Sequence, residues 1–164
     1  MKIEELQRLQ EKGLWLVMHP TKSLSWENDQ VFPWLGAEMT RTSQRISYYL
    51  RPCKHKFVVL NDDHVIISAF SEYKEMNTLN DLHQYCAQNN ITEIIYTGFH
   101  YGVCILNEKE VGLESLNAYN KNSSRVGPCY KMFVKRELVD IGPGAHEDGW
   151  GNADYETGRI AEII

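Results

Sequence analysis

Apolar positions along the chain recur in two rhythms, and their alternation predicts strands joined by helices. Ile3, Leu6 and Leu9 are spaced three apart, as one stripe of a helix requires, and Gly13 ends it. Leu14-Trp15-Leu16-Val17-Met18 is an unbroken apolar run closed by His19-Pro20, the pattern of a strand buried on both faces. Thr21 to Gln30 is polar and turn-rich. From Pro33 to Leu50, the residues Trp34, Met39, Ile46 and Tyr49 share part of a helical face that stops at Arg51-Pro52. Phe57 to Leu60 predicts a second strand, Asn61-Asp62-Asp63 a turn, and Val65-Ile66-Ile67 a third strand.

Asn77-Thr78 caps a helix running through Leu79, Leu82, His83 and Cys86 until Asn89-Asn90. Ile94 to Thr97 reads as a buried strand and Gly98 as a sharp turn. Helical spacing returns from Val103 to Leu116 through Val103, Leu106 and Val111, with Gly112 weakening the second half. Tyr130 to Val134 is a last strand, and a loop-rich stretch from Gly142 to Gly151 precedes a short helix around Tyr155 to Ile163. Strands separated by helices predict one α/β domain over residues 1–164. Its sheet is doubly wound, Rossmann-like and mostly parallel, with helices on both faces and ligands at the carboxyl ends of the strands.

Composition narrows the function classes. With 43% apolar and 24% charged residues the chain is ordinary for a folded domain, and the net charge of -5 provides no general basic surface. Nucleic acid is therefore not an expected partner, Arg51 to Lys56 being at most a local basic patch. The apolar runs are far shorter than the roughly 20 residues that cross a bilayer, so no membrane partner is expected. Met1 to Gly13 lacks the apolar core of a secretory signal, which predicts a cytoplasmic protein. Cys53, Cys86, Cys104 and Cys129 are widely spaced with no C-x-x-C pair, which argues for reduced thiols and against a zinc ribbon. No phosphate-binding glycine fingerprint is present, and no cofactor is expected.

One segment carries chemistry. Cys104 follows a strand and a glycine-containing turn and opens a predicted helix, where unpaired backbone N–H groups favour a thiolate and could receive an oxyanion. The plainer reading is a cysteine packed at a helix start. Thr97-Gly98-Phe99-His100-Tyr101-Gly102-Val103-Cys104 resembles the nucleophile turn of the isochorismatase-like cysteine hydrolases, whose pattern is T-G-x-x-x-x-V-C between a core strand and a helix. The wider resemblance runs from the Leu14 strand through Ser68-Ala69-Phe70 to the Tyr130 strand. It implies a doubly wound parallel sheet and attack by a cysteine thiolate on an amide or related carbonyl group.

Two positions depart from the family's pattern. Its aspartate after the first strand is matched by His19, and its lysine before the S-A-F-like motif by His64. Histidine also accepts a thiol proton, so Cys104, His19 and His64 are the candidate catalytic residues. Phe99, His100, Tyr101, Gly102 and Trp26 are the candidates for holding a small-molecule substrate, and Lys22 is a stand-in for the missing lysine. A second reading keeps the fold as a ligand-binding or interaction protein without catalysis, its pocket lined by Trp15, Trp26, Phe99 and Tyr101. A third has His19, His100 and Cys104 holding zinc, although no D-x-H motif marks a metal site. Trp150 and Tyr155 are candidate contacts of a homo-oligomer.

Overall fold

The apolar run after Gly13 becomes β1 (Leu14–Met18), and its five side chains are all buried because the strand lies at the centre of a sheet covered on both faces. In the computed structural model, residues 1–22, 35–60, 65–141 and 149–164 are described. The remaining strands are β2 (Thr21–Lys22), β3 (His55–Val59), β4 (Val65–Ile66), β5 (Lys74–Glu75), β6 (Glu93–Tyr101), β7 (Lys131–Ile141) and β8 (Glu162–Ile163). The α-helices are α1 (Ile3–Lys12), α2 (Leu35–Tyr49), α3 (Leu79–Asn89), α4 (Cys104–Asn107), α5 (Leu113–Lys121) and α6 (Gly149–Gly158).

Six strands form one sheet in the order β5-β3-β1-β6-β7-β8, and every pairing in it is parallel. The chain builds outward from β1 to β3 and β5, then returns to the centre and builds the other way through β6, β7 and β8. The order therefore reverses between β1 and β6, whose register pairs Leu14 with Ile94 and Met18 with Gly98. In sheets of this kind the crevice at the carboxyl ends of the two strands flanking the reversal is the usual ligand site.

Alternation along β1 supplies both halves of the core. Leu14, Leu16 and Met18 pack with α3 and α5 residues such as Leu82, Leu113 and Leu116, whereas Trp15 and Val17 pack with Leu9 of α1 and Met39 and Ile46 of α2. Trp15 Nε1 donates to the Leu9 carbonyl at 2.9 Å, which settles the polar atom of a fully buried ring. Ile3, expected on the buried stripe of α1, is 75% exposed, because the helix meets the sheet only near its end. Thr78 caps α3 by accepting from Asp81 N–H, and Asn90 closes it in the left-handed conformation, as its sequence predicts.

Four expectations need correction. Val65-Ile66 does not enter the main sheet; it pairs antiparallel with Thr21-Lys22, and Ile67 leads into a 3₁₀ turn over Ser68–Phe70. The edge strand is β5, whose two exposed polar residues carry no apolar signal. The last strand extends well past Val134, because β7 bulges: Tyr96 and Gly98, two apart, face Val134 and Val139, five apart. The C-terminal helix lies earlier than expected, over Gly149–Gly158, and Ile163 joins the sheet instead, with Ile164 N–H donating to Val134 O at 2.9 Å.

Two histidines, buried His55 and half-buried His83, make stability depend on pH. Nδ1 of His55 lies 2.7 Å from the Tyr85 hydroxyl, and Nδ1 of His83 lies 2.8 Å from that of Tyr130. Burial lowers both pKa values from the ordinary histidine range, with Lys54 adding to the effect at His55. The unfolded chain, titrating near 6.5, then binds more protons than the native state just below that pH. This contribution to stability is complete above about 6.5 and is lost as pH falls toward the lowered native values. The urea midpoint is expected to drop between pH 7.5 and 5.5, and a His55→Gln, His83→Gln variant to lose most of that dependence. Equal slopes for the two proteins would show that these histidines do not set it.

Candidate active site at the switch point

At the carboxyl end of β1 the chain must leave the sheet, and His19 makes the exit. Its backbone is in the left-handed region at φ 45°, unusual for a side-chain-bearing residue, with its N–H donating to Val59 O at 3.0 Å and its carbonyl accepting from Thr21 N–H at 2.8 Å. These bonds pin His19 between β1 and β3. Among the described residues its Nε2 is buried with no hydrogen-bond partner. A buried polar atom left so is costly in a fold that serves packing alone.

Beside it, β6 runs past the end of β1 to Tyr101 and then reverses at Gly102. Gly98 is not the sharp turn expected from the sequence; the strand passes through it at φ 99°, where a Cβ would lie 2.5 Å from Met18 O and 2.6 Å from Met18 N. Glycine is needed there so that β1 and β6 can approach. Gly102 makes the turn, at φ 78°, and α4 begins two residues later at Cys104. Tyr101 anchors the turn from inside: its hydroxyl donates to Asp154 Oδ1 at 2.6 Å, and Arg136 Nε donates to the same carboxylate at 3.0 and 3.1 Å. Burial opposes ionisation of Asp154, but Arg136 and Tyr101 outweigh it and hold the carboxyl below its usual value.

The expected helix from Val103 to Leu116 is two helices. Glu108 breaks it: the carboxylate accepts the N–H groups of Glu110, Val111 and Gly112 at 3.0, 2.5 and 3.1 Å, offering them an alternative to a continued helical ladder. The single-turn α4 therefore has a smaller dipole than a four-turn helix, and dipole support for a Cys104 thiolate is correspondingly less than the sequence suggested.

His19, Val103, Cys104, Asn107, Glu108 and Lys109 line a cavity of about 350 Å³. Cys104 is half-buried there, whereas Cys53 and Cys86 are buried elsewhere and burial pushes both thiols up to about 12. All four cysteines are free thiols. Asn107, Glu108 and Lys109 have no counterpart in the sequence reading; the run Asn107-Glu108-Lys109 is a polar interruption of the apolar spacing, and that was the available signal.

Other expected site residues fall differently. Phe99 and Tyr101 are fully buried, on opposite faces of the sheet because the β6 pairing is irregular between them, so their side chains are core and anchor rather than substrate contacts. Trp15 is equally buried, a core residue rather than part of the wall of this cavity. His100 is half-buried, edge-on to Phe99 at 5.8 Å between ring centroids, after a cis Phe99–His100 peptide; it does not line the cavity. Gly102 serves through its backbone, with a Cβ there meeting Ala153 Cβ at 3.0 Å. Trp26, Trp34, His64 and residues 142–148 of the loop-rich stretch lie outside the described residues, as does the Lys22 side chain. Among the described residues no three His, Cys, Asp or Glu side chains gather as a metal site, and no helix is long and apolar enough to cross a membrane.

No family model matches the sequence, and no curated protein is similar to it in sequence. Solved structures are similar in fold. An isochorismatase-like hydrolase from Alkaliphilus metalliredigens aligns with a TM-score of 0.54 at 13% identity, over 94% of this chain and 92% of its own. A pyrazinamidase/nicotinamidase from Streptococcus mutans aligns with a TM-score of 0.53 at 11% identity, over 93% and 99%. The YcaC gene product of Escherichia coli, an octameric hydrolase of unknown specificity, aligns with a TM-score of 0.50 at 9% identity, over 93% and 74%. The parallel α/β fold of this chain is thus similar to that of solved isochorismatase-like and nicotinamidase hydrolases.

Proposed function

We propose that the chain is a divergent isochorismatase-like hydrolase that uses Cys104 to cleave an amide or related carbonyl substrate. The observation that carries this reading is that His19, whose buried Nε2 has no hydrogen-bond partner among the described residues, lines one cavity with Cys104 at the reversal point of the sheet. A base and a nucleophile on two separate strand ends, meeting where such sheets bind ligands, fit catalysis better than binding alone.

His19 takes the Cys104 proton, and the thiolate attacks the carbonyl carbon. The oxyanion is received by N–H groups opening α4, a role from which Val103 is removed because its N–H donates to His100 O at 3.1 Å. Imidazolium then protonates the leaving nitrogen, which departs as amine or ammonia and leaves a thioester. His19 deprotonates water, hydroxide adds to the thioester, and the acid leaves as the thiol is restored.

Alkylation followed at each cysteine by mass spectrometry tests the pair without knowledge of the substrate. Cys104 is expected to label fastest, ahead of exposed Cys129, while Cys53 and Cys86 stay inert. His19→Ala is expected to raise the pH midpoint of Cys104 labelling by about one to two pH units. Cys104 labelling no faster than Cys129, with no response to His19→Ala, would favour a binding protein that keeps the fold without the chemistry. A homo-oligomer belongs to the same proposal, and a purely monomeric species in sedimentation velocity would remove it.

A further inference from the structure

The turn that breaks the expected helix also builds part of the cavity. Glu108 is only 8% exposed, and its Oε2 is committed to three backbone N–H groups of the turn. The Ser115 hydroxyl lies 2.9 Å from Glu108 O and 2.8 Å from Lys109 O, so the backbone of both residues is clamped from α5. At Gly112 there is no room for a side chain, a Cβ there lying 2.5 Å from Glu108 O. This is a rigid turn of side-chain-to-backbone bonds, and the residue it presents beside Cys104 and His19 is Lys109.

Among the described residues no ion pair joins Lys109 to a carboxylate. The neighbouring acid, Glu108, also lines the cavity, with its Oε2 bonded to the turn. The cavity thus combines a thiol, an imidazole, the Asn107 amide, the hydrogen-bonded Glu108 carboxylate and a lysine in about 350 Å³, the small end of the range for ligand sites. With Glu108 Oε2 bonded to three backbone N–H groups, the exposed Lys109 is a cationic group of the cavity that can pair with a ligand's negative charge.

Building on the cysteine-hydrolase reading, we propose that Lys109 is the specificity-determining residue of this site, selecting small substrates that carry a carboxylate beside the scissile carbonyl. Asn107 supplies a neutral hydrogen-bonding group next to it. Lys109 takes no proton from the nucleophile in this assignment; it positions the substrate through its charge.

Two alkylating probes of similar size separate charge recognition from thiol reactivity. Iodoacetate carries a carboxylate and iodoacetamide does not, and in both the thiolate displaces iodide. The quantity read is the ratio of their rates at Cys104, with exposed Cys129 in the same molecule as reference. Lys109→Met is expected to lower the Cys104 ratio by about threefold to tenfold, Lys109→Arg to keep it, and the Cys129 ratio to stay constant. High salt is expected to shrink the wild-type ratio toward that of the variant. If Cys104 remains the fastest thiol but its ratio ignores Lys109→Met, the specificity assignment falls and the hydrolase reading stands. If Cys104 reacts with both probes as slowly as Cys53 and Cys86, the hydrolase reading falls and takes this inference with it.

Discussion

Cys104→Ser is expected to lower hydrolysis of any amide that the wild-type protein turns over by about 10³-fold or more, while moving the unfolding midpoint little. Serine is close to cysteine in size, and at a half-buried position its more polar hydroxyl reaches solvent, so packing around α4 persists. The hydroxyl, however, ionises far less readily than a thiol. Ammonia release from a panel of small carboxylated and neutral primary amides reads the activity, and urea unfolding reads the fold. Undiminished release from the serine variant would remove Cys104 as the nucleophile, whatever the shape of the cavity.

The largest loss of stability is expected at Gly98. Alanine there meets both a left-handed backbone at φ 99° and the backbone of Met18 at 2.5 Å, so neither a rotamer change nor a side-chain shift relieves it. The cost is expected to reach roughly 3 kcal/mol, seen as a fall in Tm of about 6–12 °C for a chain of this size. Gly151 is the control. It lies in α6 with nothing within 4 Å of an added Cβ, and Gly151→Ala is expected to stabilise by about 0.5–1 kcal/mol. A Gly98→Ala variant as stable as wild type would mean that β1 and β6 can separate at their carboxyl ends. The close approach would then not be what positions His19 against the Cys104 turn.

Period and punctuation made most elements readable. A five-residue apolar run bounded by Gly13 and His19-Pro20 reads as a strand covered twice, and Thr78 with Asn89-Asn90 marks both ends of a helix by local hydrogen bonding. The short edge strands were invisible because two residues carry no period. The break at Glu108 was missed because apolar spacing at Val103, Leu106 and Val111 fits one helix as well as two, and only the side chain's bonds decide between them.

The candidate site divides in the same way. From the sequence alone came the Cys104 turn, the histidine after the first strand and the doubly wound sheet, since each rests on residues close together in the chain. That His19 and Cys104, 85 positions apart, share one cavity was decided by the parallel pairing of β1 with β6. That Phe99 and Tyr101 are core while Asn107, Glu108 and Lys109 form the wall was decided by the irregular end of β6 and the capped turn after α4. Local sequence sets which face of an element is apolar; which side chains from distant elements converge depends on crossovers and register, and those exist only once the sheet has formed.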